Sequence, residues 1–308
     1  ASTLYGGGAI AGLVNLISKT PKEEKELKFH FDGTSGGGLN TSGFYGKKFG
    51  KAGVTIFVSR NSNAPYDPAD IGLTAIPKFE RYTVNPKLFL FFTEKTKLDF
   101  GVNITTENRI GGEVDFIKGN NPSGFYETNN SDRYSTQLKL EHHFGKCSHL
   151  TVKNSLSRFQ RSITSPAYGF NGTQNGSFTE VTYASHGAAS EWIAGANIVT
   201  DEFKETQLTA TPLRNYYQAT LGAFVQNSWK VNDKFHLETG LRGDGIKNYG
   251  FAILPRVSAL FKFSPKVSSR IGGGLGYKTP TIFSEESERV QYKNVLPVNS
   301  NINKLEKS

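Results

Sequence analysis

The chain has 308 residues, with 36 Lys and Arg against 27 Asp and Glu for a formal charge of +9, and is long enough for two domains or for one large β architecture. With 36% apolar residues and no run of about 18 of them, it contains no transmembrane helix, and its single Cys excludes an internal disulfide and the usual Cys-based zinc sites. The basic residues are scattered, and the densest group, Lys19, Lys22, Lys25 and Lys28, is diluted by Glu23, Glu24 and Glu26, so the charge reads as solvated surface and argues against a nucleic-acid partner.

There is no Met, the opening residues lack the charged and apolar regions of a signal peptide, and residues 301–308 finish no recognisable element. The expectation is a chain cut at both ends. Residues 4–12, Leu-Tyr-Gly-Gly-Gly-Ala-Ile-Ala-Gly, fail as a phosphate-binding loop. A Walker loop needs Lys-Ser/Thr after its last Gly, and a dinucleotide fingerprint needs a helix there, whereas this segment runs into the strand-like residues 13–20 and Pro21. Tight turns and close backbone packing explain these glycines better.

From residue 26 to residue 277 apolar and polar residues alternate with period two, and helical spacing is nearly absent, which predicts an all-β chain of about thirteen strands. Leu98, Phe100, Val102 and Ile104 oppose Asp99, Gly101, Asn103, Thr105 and Glu107; Tyr134, Thr136, Leu138 and Leu140 oppose Arg133, Ser135, Gln137, Lys139 and Glu141. Tyr217, Ala219, Leu221, Ala223 and Val225 oppose Gln218, Thr220, Gly222, Gln226 and Ser228, with Phe224 the exception. The pattern continues through 235–244, 257–264 and 267–277.

Short connections, at 46–53, 93–97, 145–149, 185–190, 230–234 and 264–266, take turns with long ones at 60–79, 108–132, 162–178, 200–215 and after 277. In a meander every second connection falls on the same end, so one end carries tight turns and the other elaborated loops. That asymmetry, with strands of ten residues or more, is the arrangement of an outer-membrane barrel; a soluble sandwich has shorter strands and no reason to sort its loops. An open sheet would leave two unpaired edges in lipid, so the rest of the barrel is expected beyond Ser308.

Residues 2–21, Ser-Thr-Leu-Tyr-Gly-Gly-Gly-Ala-Ile-Ala-Gly-Leu-Val-Asn-Leu-Ile-Ser-Lys-Thr-Pro, resemble the end-of-plug motif of the TonB-dependent outer-membrane receptors, where the plug hands over to the first barrel strand. Residues 224–230, 238–244, 254–262 and 276–281 resemble that family's mid-barrel segments in the same order. The resemblance implies a transmembrane antiparallel up-and-down β-barrel, here incomplete and drawn from a 22-stranded plugged barrel. It divides the chain into the C-terminal end of a plug domain, 1–22, and the N-terminal part of the barrel domain, 23–308. Within the motif, Leu4, Tyr5, Gly6, Gly8, Ala9, Gly12 and Asn15 are carried over as the plug-end residues. The missing parts are expected to include most of the plug with its TonB box, the signal peptide and the last strands. The implied function is energy-coupled import of a scarce nutrient, most often a ferric siderophore or similar metal chelate, across the bacterial outer membrane. The implied partners are outer-membrane lipid, the TonB-ExbB-ExbD complex acting through the plug, a small-molecule substrate such as a ferric chelate, and a surface lipoprotein. The alternatives are a passive porin, which would lack a plug, and a soluble β-sandwich surface-binding protein.

Placing the handover at the periplasmic end makes the long connections extracellular and turns the polar faces to the lumen. Glu107, Arg133, Arg242, Asp244 and Arg256 then fall near the loop-bearing ends of their strands, as vestibule residues or as ion-pair partners of plug and neighbouring strands. The loops add Tyr66, Arg109, Glu113, Tyr126, Tyr168 and Phe170 as candidate substrate contacts, aromatic and charged groups of the kind that dominate binding hot spots. Asp67 and Asp70 lack the acidic ladder of a calcium loop, and the adjacent His142 and His143 point to opposite faces, so no metal or cofactor is assigned. No nucleophile elbow or catalytic triad order occurs, and an enzyme is not expected. Thr279 and Pro280 are read as the cap and first position of a short loop helix.

Overall fold

A computed structural model describes residues 3–8, 14–206 and 213–308. The predicted Ala9 and Gly12 lie outside the described residues. Thirteen strands form one sheet in sequence order: β1 (Glu26–Gly33), β2 (Gly38–Phe49), β3 (Ala52–Asn63), β4 (Lys78–Thr93), β5 (Thr96–Gly112), β6 (Tyr126–His143), β7 (Ser148–Ser165), β8 (Tyr168–His186), β9 (Ser190–Glu205), β10 (Tyr216–Lys230), β11 (Phe235–Ile246), β12 (Gly250–Ser264) and β13 (Val267–Gly274). Every neighbouring pair is antiparallel, and β1 and β13 are the edges, so the sheet is a curved wall that does not close among the described residues. After β13 the chain forms β14 (Tyr277–Lys278), which pairs with β15 (Glu306–Lys307). Two five-residue helices lie in connections, α1 (Val114–Lys118) and α2 (Glu285–Arg289).

The two faces of the wall differ as lipid on one side and a lumen on the other require. On β10 the outward side chains are Tyr217, Ala219, Leu221, Ala223, Val225 and Trp229, and on β12 they are Phe251, Ile253, Val257, Ala259, Phe261 and Phe263. These remain exposed, Leu221 and Ile253 at 60% each, because what would cover them is lipid. Trp192, Trp229, Phe261 and Phe263 cluster toward the tight-turn end and Tyr82, Tyr134 and Tyr217 toward the other, the two aromatic girdles of a membrane barrel. The inward face holds the buried polar groups, among them Thr55, Glu141, Glu180, Asn197, Arg242, Asp244 and Ser258. Because Arg on the lipid face near the midplane costs about 2 to 4 kcal/mol, Leu221→Arg is expected to lower unfolding free energy in lipid by that amount. The same change at inward-facing Gln226 should cost far less, as read by heat-modifiable gel mobility and chemical denaturation.

The predicted tight-turn end holds: residues 50–51, 94–95, 187–189 and 265–266 join their strands. At the other end the strands run past the expected loop boundaries: β5 continues to Gly112 and β6 begins at Tyr126, so Arg109 and Tyr126, read above as loop residues, lie on strands. The stretch 162–178, read above as a long loop, is a hairpin in which β7 and β8 run on to a turn at 166–167, so Tyr168 and Phe170 are strand residues. Above the membrane both faces of a strand meet water, so the apolar partner of each alternating pair vanishes while backbone pairing continues. Residues 14–25 sit at the tight-turn end: the Lys48 amide donates to the Lys22 carbonyl at 2.7 Å, and Ser18 accepts from Lys87 Nζ at 2.7 Å.

Candidate functional site

Residues 3–8 lie against the inward face, where β11 supplies Gly240, Arg242 and Asp244. A Cβ on Gly240 would stand 2.1 Å from Thr3 Oγ1, and one on Gly7 would stand 2.4 Å from the Tyr277 ring, so both glycines are places where backbone meets another part of the chain. Gly6 has φ +87, open to glycine at little cost. Gly7, not among the expected motif residues, is therefore the most tightly packed glycine of the three, while Gly8 has open space around its Cα and Asn15 is exposed. Tyr5 is half exposed and Leu4 partly buried, both bordering a cavity of about 500 Å³.

The wall of that cavity is a polar ladder across four strands and the segment after β13. Lys153 Nζ donates to Glu180 Oε1 at 3.0 Å, Asn197 Nδ2 to Glu180 Oε2 at 3.5 Å, and Arg242 Nη2 to Asn197 Oδ1 at 2.9 Å. Arg242 Nε lies 2.7 Å from Asp244 Oδ1 as an ion pair, and Tyr277 Oη donates to Asp244 Oδ2 at 2.9 Å. Arg242 is 2% exposed and Asp244 is fully buried, yet Arg242 Nη1 has no hydrogen-bond partner among the described residues. Phe224, the exception to the β10 alternation, belongs to this face: its ring sits 5.5 Å from the Arg242 guanidinium. Gly222 passes beneath the ladder, since a Cβ there would stand 2.2 Å from Arg242 Nη2. A buried bond to a charged acceptor is worth about 1.5 to 3 kcal/mol, so Tyr277→Phe is expected to lose that much stability by denaturant titration and to speed proteolysis within 275–308.

A second cluster stands at the loop-bearing end. Phe170 stacks on Tyr292 at 4.6 Å and on Phe203 at 6.1 Å, Phe283 meets Phe203 edge-on at 5.1 Å, and Tyr216 lies 5.8 Å from Phe203. The pair Arg214–Glu205, at most 2% exposed on either side chain, lies against it, with Arg214 Nε to Glu205 Oε2 at 3.0 Å and Arg214 Nη1 donating to the Tyr292 carbonyl. Burial pushes the Tyr292 phenol up to about 12, so it stays neutral and donates, to Glu288 Oε1 at 3.1 Å. Ile282, Phe283, Tyr292, Val295 and Val298 thus fold the segment after β14 down against β7, β8 and β9. The helix there begins later than expected: Ser284, whose Oγ accepts from the Ser287 amide, is the cap of α2, and the Pro280 carbonyl is taken by Gln218 Nε2 at 2.8 Å.

The remaining expected residues divide. Glu107 faces inward between Arg81 and Arg109, with Arg109 Nη2 at 2.7 Å and its guanidinium 5.3 Å from the Phe79 ring. Arg133 lies 4.4 Å over Phe159, and Arg256 pairs with Glu238 at 3.4 Å, so all three use neighbouring strands as partners. Glu113 organises its own loop, accepting from the Phe125 amide at 2.9 Å and from Asn121 Nδ2 at 3.2 Å. Tyr126 stacks on Phe116 at 4.5 Å, and Tyr66 bridges to Ile76. Arg242 with Asp244 joins residues 3–8; Phe170 joins the upper cluster with Tyr168 beside it; the others stand apart. Sequence reasoning missed Glu205, Arg214, Phe203, Phe283 and Tyr292, of which only the out-of-pattern aromatics carried a signal.

The family model for the TonB dependent receptor-like β-barrel matches residues 29–301. The chain belongs to that family. Family membership places this TonB-dependent receptor barrel in the bacterial outer membrane. Among solved structures, the siderophore receptor PirA from Pseudomonas aeruginosa matches with a TM-score of 0.66 at 14% identity over 92% of this chain and 48% of that one. PirA from Acinetobacter baumannii matches at 0.68 and 16% over 91% and 47%, and the ferric-catecholate import receptor Fiu from Escherichia coli K12 at 0.72 and 13% over 90% and 54%. The copper transporter OprC matches at 0.65 and 11% over 86% and 47%. The chain spans about half the length of the receptors it matches. None of the curated protein sequences matches it.

Proposed function

We propose that this TonB-dependent receptor barrel is part of an importer that carries a scarce nutrient, most simply a ferric siderophore or a similar metal chelate, by energy-coupled transport. In this reading residues 1–22 are the end of the plug, residues 23–308 begin the barrel, and further strands pair with the edges of β1 and β13, which lipid cannot satisfy. The observation that carries it is the seating of residues 3–8 on the buried Arg242–Asp244–Tyr277 ladder, inside the wall. A passive pore needs a water-filled lumen, whereas here the lumen side is occupied by a segment packed through absent Cβ atoms. The siderophore and copper specificities named for the structural neighbours support a metal chelate as the cargo class. Coupling would run through the TonB-ExbB-ExbD complex pulling on the plug, with a surface lipoprotein as an accessory and outer-membrane lipid as the surrounding partner.

The test is uptake of radiolabelled ferric catecholate and hydroxamate chelates by cells whose full-length receptor gene is the sole copy. Uptake that disappears with a protonophore and on deletion of TonB supports the reading. Uptake that persists under both, with conductance through the purified protein, returns the barrel to a passive pore.

A further inference from the structure

Three histidines stand side by side on the inward face at the tight-turn end. His143 of β6, two residues after the buried Glu141, is paired across the sheet with His149 of β7, and His186 of β8 lies two residues beyond Ala184, the partner of His149. The rings follow one another at 5.3 Å from His143 to His149 and at 5.4 Å from His149 to His186. A carboxylate closes each end of the row: Glu141 Oε1 lies 3.0 Å from His143 Nε2, and Glu191 Oε1 of β9 lies 3.3 Å from His186 Nδ1.

The ends and the middle of the row differ in what an added proton meets. A proton on His143 or His186 faces a carboxylate, whereas one on His149 faces two imidazoles and, among the described residues, no carboxylate within ion-pair distance. The carboxylates nearby are already engaged, Glu141 by Lys97, Lys139 and His143, and Glu180 by Lys153. Charges on neighbouring rings 5.3 Å apart would lie inside the screening length of about 8 Å at physiological salt. Charge therefore crowds at the middle ring. His149 also reaches the seat of residues 3–8: with Lys139, Glu141, Lys153 and Glu180 it borders a cavity of about 220 Å³ that Leu4 and Tyr5 line as well.

We propose that the His143–His149–His186 row is a pH-sensitive latch for the seat of residues 3–8. At neutral pH the three rings are uncharged and form one continuous layer beside Leu4 and Tyr5. In acid the end rings charge against Glu141 and Glu191, and the middle ring, with an imidazole on either side, is driven toward the cavity, so that Leu4 and Tyr5 lose their backing. The direction follows from proton counting: three crowded imidazoles bind fewer protons than three separated ones, so a falling pH favours the loosened wall. The groups that face His149 are His143, Glu141 and Lys139 of β6, His186 and Glu180 of β8, Lys153 of its own strand, and Tyr5. Of these side-chain types only imidazole ordinarily changes charge between about pH 7.5 and 5.5. The inference concerns this contact alone and is independent of what the receptor imports.

The test measures amide hydrogen exchange in residues 3–8 of the full-length receptor in lipid, at about pH 7.5 and 5.5, corrected for the intrinsic dependence of exchange on pH. In the wild type the corrected rate is expected to rise about tenfold at the lower pH. His149→Gln keeps a polar side chain that cannot charge, and should hold its neutral-pH rate at both. His143→Gln with His186→Gln leaves His149 without charged neighbours and should lose most of the rise as well. His30→Gln, on β1 and outside the row, should respond as the wild type does. Heat-modifiable mobility at neutral pH confirms that each variant is folded, and the single and the double variant carry the prediction separately, so one that fails to fold leaves the other to decide. No rise in the wild type overturns the proposal, as does a rise that survives in His149→Gln or disappears in His30→Gln. A rise lost in His149→Gln but kept in the double variant would assign the response to one histidine rather than to the row, and overturn it too.

Discussion

Replacing Gly222 by alanine will destabilise the receptor by about 3 to 5 kcal/mol, the range for disrupting a buried ion pair, although the substitution adds one methyl group. Gly222 sits on β10 opposite Asn197 of β9 and Asp244 of β11, at the centre of the polar ladder. Its missing Cβ is what lets the Arg242 guanidinium lie across the strand: a methyl would stand 2.2 Å from Arg242 Nη2, 2.5 Å from Asp244 Oδ1 and 2.8 Å from Asn197 Oδ1. The side chains cannot retreat toward the lumen, because Tyr277 and residues 6–7 close that side. Either the pair separates, leaving charges with poor solvation, or the wall bulges. Gly245→Ala is the matched control, on the outward face with its nearest neighbour 3.8 Å away, and should change stability by less than about 0.5 kcal/mol. Denaturant titration of both variants in lipid, with cleavage within residues 3–8 as a second readout, decides it. Equal behaviour of the two alanines would show that the ladder yields at no cost.

How much of this could be read from residues alone follows from which physical demand shaped each one. Lipid permits no charge on the outward face and fixes its period at two, so Leu221, Ile253 and Val257 announced their side, and with it the inward placement of Glu107, Arg133, Arg242, Asp244 and Arg256. Phe224 broke the pattern because the lumen face is free to hold an aromatic ring, provided something such as Arg242 covers it. Above the upper girdle that demand lapses. Tyr168 and Phe170 therefore looked like loop residues, although β7 and β8 continue pairing to Ser165 and Tyr168. Arg214 and Glu205 gave no signal, since nothing in a local sequence window says that residues 275–308 will return to bury them. Long-range packing, not local pattern, makes that site.

One buried ion pair is central to the tie between residues 279–303 and the wall. Arg214→Ala is expected to leave Glu205 without its partner in a site where both side chains are at most 2% exposed, at a cost of about 3 to 5 kcal/mol. Arg214 also holds the Tyr292 carbonyl, and its guanidinium lies 5.3 Å from the Phe170 ring, so the change removes the contact that ties residues 275–308 to the wall as well as the charge. The loss should therefore be local before it is global: faster proteolysis at 279–303 and faster amide exchange there, while the midpoint for the strands, with their continuous ladder, moves less. The double variant Arg214→Ala with Glu205→Ala separates the two causes. If the stranded carboxylate carries the cost, stability returns by at least half while residues 279–303 stay susceptible to protease; if packing against Phe170 and Tyr292 carries it, the double variant is as weak as the single one. Wild-type protection of 279–303 in Arg214→Ala would refute the assignment of this pair as the tie between the segment and the wall.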